Sequence, residues 1–196
     1  MKKIVLILLT LVSFNVFASN SDDAIHRELR QAVGLVESAI NTGEYDKMLP
    51  VLSKELRATP ITQEFIHGKA GIVPYFHKWF GKDNFLKSMH ISITADTQTE
   101  LSADRNWGVV YGKGVEKYLL NDGRSYDIPT RWTATVVLEE GHWKIRTIHF
   151  GTNFVDNPLI NEATNAITKV MYGAGGGGVV VGLLIGFLLF RRKSKS

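Results

Sequence analysis

The hydrophobic period of this chain changes once, near Asn84, and that change constrains the fold more than any motif does. Before it, Ile25, Leu29, Val33, Val36 and Ile40 recur at intervals of three and four between Asp22 and Asn41, the spacing of one helix face, with Ser21 or Asp22 as a cap and Gly43 closing the run. A short helix is expected over Glu44 to Leu52, and another over Lys69 to Phe80 between Gly68 and Gly81, with Pro74 in its first turns. After Asn84 the apolar residues alternate. Met89 to Thr97, Trp107 to Leu120, Ser125 to Leu138 and His142 to Phe154 are rich in Val, Ile, Thr, Tyr and Trp and read as strands. Asn121-Asp122-Gly123 and Glu139-Glu140-Gly141 are turn signals between them, so the strands pair antiparallel in hairpins. The expected order is helices first, then a meander, with a last helix opening at Asn157-Pro158.

Both ends of the chain carry a different message. Lys2 and Lys3, the apolar run Ile4 to Val12, and Val16-Phe17-Ala18 form the three parts of a secretory signal, so residues 1–18 are expected to be a signal peptide cleaved after Ala18. Residues 171–190 hold no charge, and about 20 residues make ~30 Å of helix, the thickness of the hydrocarbon layer. Arg191, Arg192, Lys193 and Lys195 follow at once, which keeps the 191–196 tail cytoplasmic and the preceding domain outside, on the periplasmic face of a bacterial inner membrane. Gly-rich residues 170–178 form a juxtamembrane hinge or processing site. Ala174, Gly178, Gly182 and Gly186 recur every fourth residue, a small-residue face on which two membrane helices approach closely.

Composition takes its meaning from these ends. Two of the 23 Lys and Arg lie before residue 19 and four after residue 190, so 17 face all 19 Asp and Glu, and the domain between is acidic by 2 despite a formal chain charge of +4. A nucleic-acid surface needs a basic stripe on the folded part, and none is present. With no Cys, thiol catalysis, thiolate metal sites and disulfides are excluded. His26, His67, His77, His90, His142 and His149 lack ligand spacing, and there is no phosphate loop or nucleophile elbow, so neither metal nor cofactor is expected.

Residues 19–169 are the length of one domain. Asp122-Gly123-Arg124, Pro129 to Thr135, Gly141-His142-Trp143-Lys144-Ile145, and His149 with Asn153, Asp156, Asn157 and Pro158 resemble the SnoaL-like branch of the nuclear transport factor two superfamily. The final two strands carry the resemblance; the helical half matches by pattern. It implies an α+β, cone-shaped fold with N-terminal helices packed on a curved antiparallel sheet, a concave pocket and a homodimer joined through the sheet's other face. It implies no single reaction, because this fold hosts isomerases, cyclases, dehydratases and binding domains.

Strand parity supplies the site candidates. On the last strand Trp143, Ile145, Thr147 and His149 are expected on one face, opposite Lys144, Arg146, Ile148 and Phe150. His149 is the first catalytic candidate, as an imidazole that titrates near neutrality, against the plainer role of a core histidine. Asp127, between Tyr126 and Ile128, is the carboxylate candidate for a base, against a solvated Asp near a turn. Arg131 is a fork for a ligand oxyanion, or the partner of Asp127 or Glu116. Trp107, Tyr111 and Trp143 on the sheet, with Tyr75 and Trp79 on the third helix, are ligand-wall candidates that would serve equally as plain packing.

Three functions fit these residues. The first is a membrane-anchored domain that binds a small, partly apolar ligand in its cone and needs no catalysis. The second is an acid–base isomerase or dehydratase using His149 and Asp127, which requires them to converge in an open pocket. The third is a dimeric scaffold with a filled pocket and exposed Ile148 and Phe150.

Overall fold

The structure, a computed structural model, describes residues 2–193, and describes the side-chain surroundings of residues 22–172 with Gly182, Leu183 and Ile185. Residues up to Asn153 form one compact unit and those from Phe154 a second. The first unit is an α+β domain: helix α1 (Lys2–Thr42), a 3-10 turn (Tyr45–Val51), strands β1 (Leu52–Thr59) and β2 (Ile66–His67), helix α2 (Ile72–Trp79), then β3 (Leu86–Ala95), β4 (Glu100–Leu101), β5 (Trp107–Leu120), β6 (Ser125–Glu139) and β7 (His142–Thr152). The second holds α3 (Pro158–Lys193). Asn157 caps α3: its Oδ1 accepts from the backbone N–H of Leu159 and of Ile160, both at 3.1 Å.

The sheet runs β2-β1-β7-β6-β5-β3, with β4 paired to β5. All pairs are antiparallel except β1 with β7. Strands β1 and β2 are therefore additions to the expected meander, and β1 pairs with the last strand in the chain as well as with its near neighbour β2. The residues of β1 explain why it goes unseen in sequence: Lys54, Glu55 and Arg57 interrupt any apolar alternation, and only Leu52, Ser53, Leu56 and Ala58 are buried. The hairpins turn where expected. Glu140 and Gly141 both take the left-handed backbone, with φ of 56° and 79°, as a two-residue hairpin turn requires.

One face of the long strands is buried and the other exposed. On β5 the buried set is Gly108, Val110, Gly112, Gly114, Glu116, Tyr118 and Leu120; on β6 it is Ile128, Thr130, Trp132, Ala134 and Val136. The inner-face glycines let the sheet curl: a Cβ on Gly112 would lie 2.1 Å from the Thr94 carbonyl oxygen and 2.6 Å from Trp132 Cζ2, so Trp132 lies across a strand that has no side chain there. Helix α1 covers this face with Leu29, Ala32, Ala39 and Ile40 and is pinned at Glu28 and at Asn41. Glu28 Oε1 accepts from the Trp143 N–H at 3.1 Å, and Asn41 brackets Ile91, donating to its carbonyl at 2.9 Å and accepting from its N–H at 2.7 Å.

A bulge in β7 changes the expected parity. Thr135 pairs with Thr147 but Val136 with Ile145, so Arg146 is an extra residue. Trp143 and Ile145 face inward before it; Ile148 and Phe150 face inward after it and pack on the core. The expected single face of Trp143, Ile145, Thr147 and His149 is corrected accordingly. Tertiary contacts hold the bulge: the Arg146 guanidinium donates to the Glu55 carbonyl of β1 at 2.5 Å.

Among the described residues no helix is long and apolar enough to cross a membrane. The expected signal peptide, most of the expected span at 171–190, and the basic tail lie outside the residues whose side chains are described.

Candidate functional site

The curled sheet and α1 enclose a cavity of about 460 Å³. Its walls are apolar: Leu29, Val33 and Val36 from the helix, and Trp132, Ala134 and Trp143 from the sheet. Its polar lining comes from Thr94 of β3, from Asp96 and Gln98 just beyond that strand, and from Arg30 of α1. His26, 8% exposed, is the buried ionisable group on this wall, one helical turn before Arg30. Asp96 is held in place by Arg131, whose two terminal nitrogens donate to its carboxylate at 3.2 and 2.5 Å, and this pairing holds the Asp96 carboxyl below the usual range. An apolar space with a few polar groups at its rim suits a small molecule that is mostly hydrocarbon.

A second, smaller chamber of about 80 Å³ lies further along the same inner face. Val36, Ile145 and Ile148 line both spaces. This chamber holds Glu116, 3% exposed, among Leu56, Ile91, Met89 and the rings of Tyr75, Phe76 and Tyr118. The Tyr118 hydroxyl donates a short hydrogen bond to Glu116 Oε2, and no cation pairs with the carboxylate among the described residues. Burial pushes the Glu116 carboxyl up to about 7, against a smaller downward pull from the Tyr118 hydrogen bond. Burial likewise raises Tyr118, helped by the nearby Glu116 charge, and pushes Tyr75 up to about 12. The Tyr75 and Thr62 hydroxyls are 3.1 Å apart.

The structure distributes the expected site residues widely. Trp143 is buried and lines the larger cavity; Tyr75 is buried and lines the smaller chamber. Trp79 lies at the end of α2, where its indole N–H donates to Glu64 at 3.0 Å, and it lines neither space. Trp107 is 49% exposed, and Tyr111 shares its outward parity on β5. Asp127, Arg131 and His149 are all exposed on the outer face. Asp127 sits 3.6 Å from Lys117, and Arg131 pairs with Asp96 rather than with Asp127 or Glu116. His149 lies opposite Thr133, six residues along β6 from Asp127, so about 20 Å separates the two and they do not converge. Among the described residues no three His, Asp or Glu side chains are grouped to hold a metal ion.

Glu116 is the residue that sequence reasoning considered only as a partner for Arg131. A signal was present. It shares the parity of Val110, Tyr118 and Leu120, so the alternation that makes β5 a strand also puts a carboxylate on its apolar face.

No protein-family model matches the chain, and no curated protein matches it. Solved structures do match. The chain superimposes on a nuclear transport factor 2-like superfamily protein from Salmonella enterica with a TM-score of 0.54 and 14% identity, covering 66% of this chain and 92% of that one. A hexachlorocyclohexane dehydrochlorinase matches with a TM-score of 0.59 and 12% identity, over 69% of this chain and 90% of that one. The association domain of a Caenorhabditis elegans calmodulin-dependent kinase II matches with a TM-score of 0.51 and 13% identity, over 68% and 99%. At these identities the likeness concerns the fold, and the fold is that of the nuclear transport factor two-like proteins.

Proposed function

We propose that this chain is a membrane-anchored, extracytoplasmic member of the SnoaL-like branch that binds a small, partly apolar molecule in its cone. The observation that carries this reading is the apolar cavity of about 460 Å³ with His26 in its wall and polar groups at its rim. An open cavity favours binding over the scaffold reading, which needs a filled one, and Ile148 and Phe150 turn inward rather than offering a docking face. The separation of His149 from Asp127 removes the geometry that their acid–base chemistry needs. The anchor belongs to the same proposal: residues 1–18 export the chain, 171–190 hold it in the membrane, and a homodimer forms through the sheet, as some proteins of this fold are association domains.

Native mass spectrometry of the full chain, captured in polymer-bounded nanodiscs so that no detergent fills the cavity, tests the reading. The expected result is a polypeptide starting at Ser19 that retains a small molecule, with the molecule lost in an Ala134→Phe variant that fills the cavity. A folded wild-type protein that carries nothing, and takes up no apolar probe, would overturn it.

A further inference from the structure

The smaller chamber poses a problem that the larger cavity does not. Taking a carboxylate out of water without a counter-charge is expensive, and one hydrogen bond from Tyr118 offsets only part of that cost. Among the described residues, the groups around Glu116 offer no cation. From its own strand it meets Tyr118, from α2 Tyr75, and from β1, β3 and β6 the apolar Leu56, Ile91 and Ile128. The two tyrosines are the titratable neighbours, and burial keeps both protonated and neutral across the physiological range. Below about 7 a proton on Glu116 itself balances the chamber; above it, charge balance calls for a cation from outside.

The walls suit one kind of cation. Tyr75 and Phe76 meet edge to face at 5.2 Å, Phe76 and Phe80 lie 5.7 Å apart, and Phe80 stacks on Tyr118 at 6.1 Å, so the rings form one continuous run, of which Tyr75, Phe76 and Tyr118 line the chamber with Glu116. Ring faces attract cations, most strongly where water is excluded, and an ammonium that carries alkyl groups loses less hydration on entry than a bare metal ion. Single waters need roughly 10–15 Å³ of such space, so about 80 Å³ holds a head of a few heavy atoms and not a drug-sized molecule. The chamber borders the larger cavity through Val36, Ile145 and Ile148, the side on which an attached hydrocarbon would continue.

We propose that this inner chamber binds the ammonium head of a small amine, primary or methylated, with Glu116 as its counter-ion and the rings of Tyr75, Phe76 and Tyr118 as its cage. Placement of the amine's tail rests on the reading of the larger cavity; the head site does not. Because a proton and an ammonium compete for one carboxylate, binding strengthens as pH rises to about 7 and levels off above it.

Calorimetric titration of the full chain in nanodiscs with butylammonium and with its neutral counterpart butanol tests the site, alongside an apolar fluorescent probe for the larger cavity. Wild type is expected to prefer the amine by at least about tenfold at pH 8, the preference falling by about tenfold per pH unit well below 7 and vanishing in the near-isosteric Glu116→Gln. Tyr118→Phe, which removes the hydrogen bond that pulls the carboxyl down, is expected to move the pH midpoint upward. Equal binding of amine and butanol, or an amine preference that survives Glu116→Gln, overturns the proposal. An amine that fails to bind while the apolar probe still does sinks the head site alone; the reverse sinks the reading of the larger cavity and leaves this one standing.

Discussion

Glu116 and Asp127 are both carboxylates on neighbouring strands, one register step apart, and their surroundings are opposite. Glu116 pairs across the sheet with Ile128 and points inward; Asp127 pairs with Lys117 and points outward. The inward carboxyl loses water, gains one tyrosine hydroxyl and is pushed up to about 7. The outward one has a lysine nitrogen 3.6 Å away and open solvent beside it. Alternation along a strand, combined with burial of one face, thus decides which carboxylate holds chemistry. The same division separates Trp132, which packs against Gly112, from Trp107, which lies on the exposed face of the neighbouring strand.

If the two faces differ as described, substitutions on them rank steeply. Trp132→Ala removes a buried ring and its hydrogen bond to the Lys113 carbonyl at 3.1 Å, and is expected to cost about 4 kcal/mol in urea unfolding. A loss no greater than that of Thr133→Ala, one residue along and outward, would break the comparison. Glu116→Gln is expected to stabilise by about 3 kcal/mol at pH 8 and by almost nothing at pH 4. The sign follows because the folded state holds the Glu116 proton more tightly than the unfolded chain does. Its favourable contribution is complete below about 4.5 and is lost as pH rises through about 7. Denaturation midpoints measured across that range, parallel in both proteins, would show that Glu116 is not buried as drawn.

Smaller effects sharpen the picture. Thr130 Oγ1 is buried on the inner face without a hydrogen-bond partner among the described residues, so Thr130→Val is expected to gain about 1 kcal/mol by relieving that group. A loss in thermal melting would mean that the hydroxyl is satisfied by water. Outward changes come last: Asp127→Asn and His149→Ala are expected to stay within about 0.5 kcal/mol of the parent and to leave ligand retention unchanged. Loss of the bound molecule in His149→Ala would return that residue to the site.

Much of this architecture is legible residue by residue. The apolar stripe from Ile25 to Ile40 announces the last part of α1, although the helix starts at Lys2 and runs through the expected cap at Ser21 or Asp22; period two announces β5 and β6, and Asn157 ahead of Pro158 announces the start of α3, because each signal acts within a few residues of itself. Glu116 was readable by the same parity that places Tyr118. Strand β1 was not, since its half-polar sequence gives no alternation and its place in the sheet is set by β7, a parallel partner at least 90 residues away.

The chain by itself therefore determined the apolar stripe of α1, the long meander of β5, β6 and β7 with its hairpin turns, the two alternating residue sets of β6 but not which of them turns inward, and the absence of any thiol chemistry. Tertiary structure alone decided the bulge at Arg146, and with it that Ile148 and Phe150 turn in while His149 turns out. It also decided that Trp132, Glu116 and the rings of α2 close around two adjoining spaces. The physical reason is one of range. Periodicity and turn chemistry act between near neighbours, whereas a one-residue register shift and the desolvation of a carboxylate depend on what the far end of the chain packs against them.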